Sequence, residues 1–330
     1  MLHIHGGESS ANTARQSTVP GEHFGWREAL ISGPAPSGVV GAEWRKLRAR
    51  HLSDYYGGDL RKYEADLLSH EETLATFSGH DEVVLWFEQD LFCQVNLLHL
   101  LNWFAHHDLG KTKLSLICIG QFPGIETFRG LGQLNSDQLA SLLDTRHEVS
   151  ATEKKLATAG WQAYCADNPR EIEKLLQTDT SALPFLKDAL QLHLERFPFV
   201  RNGLGRIENR GLELIHNGLS KFIDLFPGFG DAEPVYGLGD FQFWVTLKQM
   251  SNANEPMITI RNDNESGQEL ESEKIRNSAF EITKAGNAVL KAEADFVEMN
   301  GIDLWLGGVY LSGKTDLWRW DDQNRKIAYL

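Results

Sequence analysis

Residues 82–105 read Glu82-Val-Val-Leu-Trp-Phe-Glu-Gln-Asp-Leu-Phe-Cys-Gln-Val-Asn-Leu-Leu-His-Leu-Leu-Asn-Trp-Phe-Ala105. The run from Glu82 to Phe87 is continuously apolar after its first residue, the pattern of a strand buried on both faces. Glu88-Gln89-Asp90 breaks it, and Leu91 to His107 then reads as a helix apolar almost all round. Lys113-Leu-Ser-Leu-Ile-Cys-Ile119 is a second buried strand. Strand, long helix and strand make a βαβ unit, which implies parallel strands joined by a right-handed crossover.

Working upstream, Leu2–His5 reads as a short strand entering the turn Gly6-Gly7, with Ser9 or Ser10 capping a helix through Arg15. Glu22–Trp26 is a second strand, and Glu43–Tyr56 and Leu60–Phe77 have helical apolar spacing. These elements predict an α/β domain over residues 1–125, with a Rossmann-like or flavodoxin-like parallel sheet. Downstream, residues 126–200 read as a helical segment packed on it. Ser150 and Glu153 form a capping box there.

Residues 201–330 read as a separate α+β module. Its helices are predicted at Arg206–Asn217, Leu219–Phe226 and Asp240–Met250, with a strand at Pro256–Ile260 and a polar loop from Asn262 to Asn277. Asp303–Leu311 is expected to pair with Leu317–Ile327 as a wing, giving a winged-helix-like pattern.

The chain has 330 residues and a formal net charge of −14. Residues 201–330 carry 14 basic against 20 acidic side chains, and the rest 18 against 26, so neither part is basic. Nucleic-acid binding through bulk charge is therefore not expected. Asp240–Met250, the position of a recognition helix, is aromatic with a single lysine. The most apolar stretch, Leu91–Phe104, is interrupted by Gln94, Asn96, His99 and Asn102, so no membrane partner is expected. The opening residues Met1–Ser10 show no basic or apolar run, so no secretory signal is expected, and Cys93, Cys118 and Cys165 are few and scattered. That usage fits a soluble protein of the cytoplasm.

In an open parallel sheet, ligands sit outside the carboxyl ends of the strands. Three segments are placed there, the third being His3-x-His5. Gly7, Ser9 and Ser10 present exposed backbone N–H groups to a phosphate or other anionic ligand, with Glu8 beside them. The plainer reading is a β–α turn with a serine cap. Glu88 and Asp90 form a second wall, suited to acid–base chemistry or to a divalent metal, with Gln94 one turn further on. Asp90 also stands where an N-cap belongs. Arg27 is a candidate anion contact. His3 and His5 share a strand face, as two ligands of a metal would, but no third ligand is evident. The basic run Trp44–His51 reads as a charged helix face.

Several of these segments together resemble a bacterial family, catalogued as domain of unknown function 1835. They are His3-Ile-His-Gly-Gly-Glu-Ser-Ser10, Gly25-Trp-Arg-Glu-Ala-Leu30 with Gly33-Pro34, Leu85-Trp-Phe-Glu-Gln-Asp-Leu-Phe92 and Gly130-Leu-Gly-Gln-Leu134. Ala182-Leu-Pro-Phe-Leu186 and Asp303-Leu-Trp-Leu-Gly-Gly308 resemble the continuation of its longer members. The resemblance implies a cytosolic bacterial protein and brings no catalytic residues with it. Family members commonly have Gly-Asp-Ser where this chain has Gly7-Glu8-Ser9.

Two functions are therefore carried forward. One is a small-ligand site for a nucleotide or other phosphorylated compound, with hydrolysis or group transfer as its chemistry. The other is a regulatory or adaptor role, with the C-terminal module holding a protein partner. The sequence names no reaction.

Overall fold

The computed structural model describes residues 1–262 and 271–330. The chain is mixed α/β and divides into two compact units. The first comprises Met1–Gln191 with two short returns of the chain, Val235–Gly237 and Gly307–Val309. The second comprises Leu192–Pro234, Leu238–Leu306 and Tyr310–Leu330.

The first unit is built on β1 (Leu2–His5), β2 (Glu22–Gly25), β4 (Glu82–Glu88), β5 (Lys113–Ile119) and β6 (His147–Glu148). A two-residue strand, β3 (Gly33–Pro34), lies outside this sheet. The spatial order is β2-β1-β4-β5-β6, parallel except for β6. Counted along the chain within the sheet, that is 2-1-3-4-5, the flavodoxin-like order whose switch point falls between the first and third strands. Here it falls between β1 and β4.

The helices are α1 (Glu8–Arg15), α2 (Gly41–Tyr56), α3 (Leu60–Ala75), α4 (Leu91–Ala105), α5 (Ser136–Ser141), α6 (Ala151–Cys165), α7 (Arg170–Leu176) and the start of α8 (Leu186–Leu194). The segment after residue 125 thus belongs to the first unit as far as Gln191. Val84, Trp86 and Ile117 pack with Ala14, Leu131 and Leu139 on one side of the sheet. Ten residues of α4 are buried, because it lies between the sheet and α6. That is why its sequence is apolar nearly all round. Ser150 caps α6 in a reciprocal box with Glu153, as its spacing predicts.

The basic run Trp44–His51 departs from expectation. Arg48 on α2 is fully buried. Its Nε and Nη2 donate to Glu28 Oε1, Nη1 donates to the carbonyls of Ser32 and Pro34, and Nη2 also reaches that of Ala29. A guanidinium with this many partners can be taken out of water.

The second unit contains α9 (Arg206–His216), α10 (Phe222–Ala232), α11 (Asp240–Ser251), β7 (Ile258–Asn262), α12 (Glu271–Asn277), β8 (Ser278–Ile282), α13 (Lys284–Leu290) and α14 (Phe296–Asn300). Four further strands follow: β9 (Ile302–Gly307), β10 (Val309–Gly313), β11 (Trp318–Asp321) and β12 (Lys326–Tyr329). Phe222, Phe229 and Phe243 form an aromatic core in which Phe229 and Phe243 stack at 4.4 Å. Buried Glu233 is held by Arg206 at 2.9 Å and Arg210 at 3.0 Å, and Arg206 also pairs with Glu195.

Two expectations for this module are corrected. Of the predicted loop over residues 262–277, Glu271–Asn277 is helical, and 263–270 lie outside the described residues. The wing does not form between 303–311 and 317–327. Instead β9 neighbours β10, and β11 pairs antiparallel with β12. Gly307 at φ 62° reverses the first pair, and Arg325 at φ 49° helps close the second. Each reversal lies inside a segment read as one strand, so each folds back on itself. Among the described residues no helix is long and apolar enough to cross a membrane.

Candidate functional site

The switch point brings together the carboxyl ends of β1 and β4. Gly6 N–H donates to the Trp86 carbonyl at 2.9 Å, tying the turn after β1 to β4. A Cβ on Gly6 would stand 2.9 Å from Cys93 Sγ and 3.2 Å from the Phe87 ring, so only glycine lets the turn lie this close. Gly7 is the N-cap of α1, in extended backbone with no side-chain cap.

Neither serine caps the helix. Buried Ser10 donates its Oγ hydrogen to the Gly7 carbonyl at 3.2 Å, while exposed Ser9 has its Oγ beside Gly132. The start of α1 is thus left with uncapped N–H groups, which favour an anion.

Across the switch point, the Glu88 carboxyl lies over Gly130 and accepts the Leu131 N–H. Gly130 has φ 142°, and a Cβ there would collide with Glu88 Oε2. Asp90 is buried and caps α4 as the sequence predicts, accepting the Cys93 N–H at 2.8 Å. One ligand atom each from Glu88, Asp90 and Cys93 lie within 4.8 Å of one another.

Burial, and then the neighbouring Asp90 charge, push Glu88 up to about 8. Burial raises Asp90 to about 6. Two carboxyls in one dry site cannot both ionise cheaply, so the pair holds its last proton more tightly than an ordinary carboxyl does. Burial also drives the Cys93 thiol well above its ordinary value and Cys118 up to about 12. Both sulfurs therefore stay protonated, which removes them as nucleophiles.

The remaining predicted residues fall elsewhere. Glu8 pairs with Arg15 at 2.6 Å and packs over Gly25, outside the Glu88 cluster. Gln94 is buried and donates to the Glu88 carbonyl at 2.6 Å, so it braces the β4–α4 loop rather than facing a ligand. Arg27 is about half exposed and stands 3.7 Å from Asp66. The N-terminus of α4 is occupied by the chain's own Val235–Gly237. Leu91 N–H donates to the Val235 carbonyl at 2.8 Å and Phe92 N–H to that of Tyr236 at 3.3 Å. An anion is left only the start of α1.

His3 and His5 do have a third histidine beside them: parallel pairing sets His23 opposite His3. Their ring nitrogens are mostly spent on other partners, and only His5 and His23 bond to each other. His3 Nε2 donates to the Pro20 carbonyl, and its Nδ1 accepts the Trp86 indole N–H at 3.0 Å. His23 Nε2 donates to the Val19 carbonyl, so its Nδ1 accepts from His5 Nε2 at 3.1 Å. Only His5 Nδ1 is left without a partner. Burial lowers all three histidines, His3 to about 4, so all are neutral. Register across parallel strands is not written in local sequence, and His23 was missed for that reason.

Compared with protein-family models and with curated proteins, the chain matches none.

Proposed function

We propose that the first unit binds a small phosphorylated or otherwise anionic ligand at the switch point, and that Glu88 acts on it as a general acid. The uncapped start of α1, Gly7 and Ser9 Oγ hold the anion. Glu88 delivers a proton to a leaving oxygen, and hydrolysis or group transfer is the chemistry this serves. One observation carries the reading. Two neighbouring carboxyls, Glu88 and buried Asp90, share the switch point with a helix start that no side chain caps. Asp90 keeps the acid's proton in place and caps α4. A divalent cation would compete with that proton for Glu88.

The adaptor alternative has less behind it. α11 commits Phe243, Val245, Leu247 and Met250 to the second unit's own core. Three free cysteines fit a cytoplasmic setting.

A thermal-shift screen tests the proposal, using inorganic phosphate, nucleotides and sugar phosphates, each with and without Mg²⁺ or Mn²⁺. A ligand at a hundredfold excess over Kd stabilises by about 2.7 kcal/mol. Ser9→Ala should weaken the positive ligand by about five- to tenfold. Glu88→Gln should keep binding and lower turnover by about 100-fold or more. A screen silent for every anion, or a hit indifferent to both substitutions, sinks the reading.

A further inference from the structure

The first unit also holds a cavity of about 600 Å³ among α2, α3, α4, α6 and residues 36–41. None of the switch-point residues lines it. Its volume is in the range of small-molecule sites. Four of the chain's nine tryptophans face it: Trp26, Trp44, Trp103 and Trp161. His99 stands between two of them, parallel to Trp44 at 6.1 Å and edge-on to Trp161 at 4.8 Å.

Four polar atoms in this wall are unsatisfied. Glu28 Oε2, both ring nitrogens of His70, and His99 Nδ1 are buried with no hydrogen-bond partner. Glu28 and His70 are each only 3% exposed. A buried polar atom without a partner costs on the order of 1–3 kcal/mol, and folded proteins leave few of them. Here four share one cavity wall. Glu28 Oε1 is used by Arg48, which leaves Oε2 over on a residue that lines the cavity.

Charge narrows the ligand. Glu28 is neutralised by Arg48 and Glu71 by Arg45. Burial lowers His70, and lowers His99 to about 4, so neither imidazole is charged at neutral pH. An aromatic wall with no uncompensated carboxylate gives a cation little return for its lost hydration. A flat neutral ring loses far less and stacks on the indoles.

We propose that this cavity binds a neutral, planar heteroaromatic ring bearing a ring N–H, of the size of an indole or a purine with a substituent. The ring stacks against the tryptophans and donates its N–H to Glu28 Oε2, while His70 pairs with a second polar edge. The site is independent of the switch point and stands or falls separately.

The test is isothermal titration calorimetry and thermal shift of the full chain with indole, adenine, 1-methylindole and tetramethylammonium. Indole and adenine should bind saturably and raise Tm. 1-Methylindole, which lacks the donor, should bind about tenfold more weakly. Tetramethylammonium should leave both signals unchanged. Trp44→Leu should weaken indole by about tenfold and leave the response to inorganic phosphate intact; Trp103→Leu serves if the first variant is unstable. Equal affinity for indole and 1-methylindole overturns the proposal. So does preference for tetramethylammonium, or absence of saturable binding of indole and adenine at millimolar concentration.

Discussion

Arg48 with Glu28 and Glu88 with Asp90 are both buried pairs of ionisable side chains in the first unit, and they are balanced in opposite ways. The first is balanced in charge: opposite charges at 2.5 Å, the guanidinium's remaining hydrogens on three carbonyls, and only Glu28 Oε2 left over. The second is two like groups, relieved only by protonation, by the Leu131 and Cys93 N–H groups, or by a ligand. The contrast separates a structural use of buried charge from a chemical one. An ion pair of opposite charges ties α2 to the segment after β2, whereas a pair of like acids is relieved by holding a proton.

The largest effect should come from breaking the satisfied pair. Arg48→Met leaves Glu28 buried without its counter-charge, and urea unfolding should show a loss of about 3–5 kcal/mol. Adding Glu28→Leu should restore most of it; no restoration would mean that Arg48 matters for packing alone.

Next comes Gly130, whose backbone accommodates Glu88. Gly130→Ala combines a positive φ with a collision against Oε2, and should cost about 2 kcal/mol. Combined with Glu88→Ala, the penalty should shrink to the backbone part alone, as a double-mutant cycle would record.

Glu88→Gln should act in the opposite direction and stabilise the protein. The folded pKa of Glu88 lies above its ordinary value, so the contribution of the protonated form is full below about 4.5 and is lost as pH rises through about 8. The variant should therefore gain on the order of 2 kcal/mol at pH 9 and almost nothing at pH 4. A loss of stability at pH 9 would contradict the stored proton.

The buried histidines give the smallest, and pH-dependent, signal. Burial holds His3 and His5 below 6.5, so their contribution is full above that pH and falls as acid is added, toward about 4 for His3. His5→Phe should reduce the slope of stability against pH in that window by about one proton, or roughly 1.4 kcal/mol per pH unit. An unchanged slope would show that His5 is already protonated in the folded state.

What could be read in the sequence follows from how local each signal is. Val83–Phe87, Leu91–Ala105 and Leu114–Ile119 announce a parallel βαβ unit through their apolar runs, and Asp90 and Ser150 announce caps by position alone. The switch-point location of Glu88 follows from strand order. Arg27 reads as an anion contact, yet the structure leaves it about half exposed near Asp66 and buries its neighbour Glu28, which the sequence does not single out. No periodicity distinguishes them, because the deciding partner, Arg48, is 20 residues away. The tryptophan cavity was invisible for the same reason. Residues 26, 44, 103 and 161 come from separate elements, and only tertiary packing collects them.

The two short returns of the chain into the first unit bear on how the protein is made. Val235–Gly237 supplies carbonyls to the first N–H groups of α4, and Gly307–Val309 meets Tyr164, whose carbonyl accepts the Gly308 N–H at 2.9 Å. On the ribosome, the sheet and its helices would emerge long before either return. A polypeptide ending at Gln191 would expose two unpaired amides at the head of its most apolar helix. Such a nascent intermediate should be less protected from hydrogen exchange at Leu91 and Phe92 than the finished chain, and a natural client for holding chaperones until about residue 309 is synthesised.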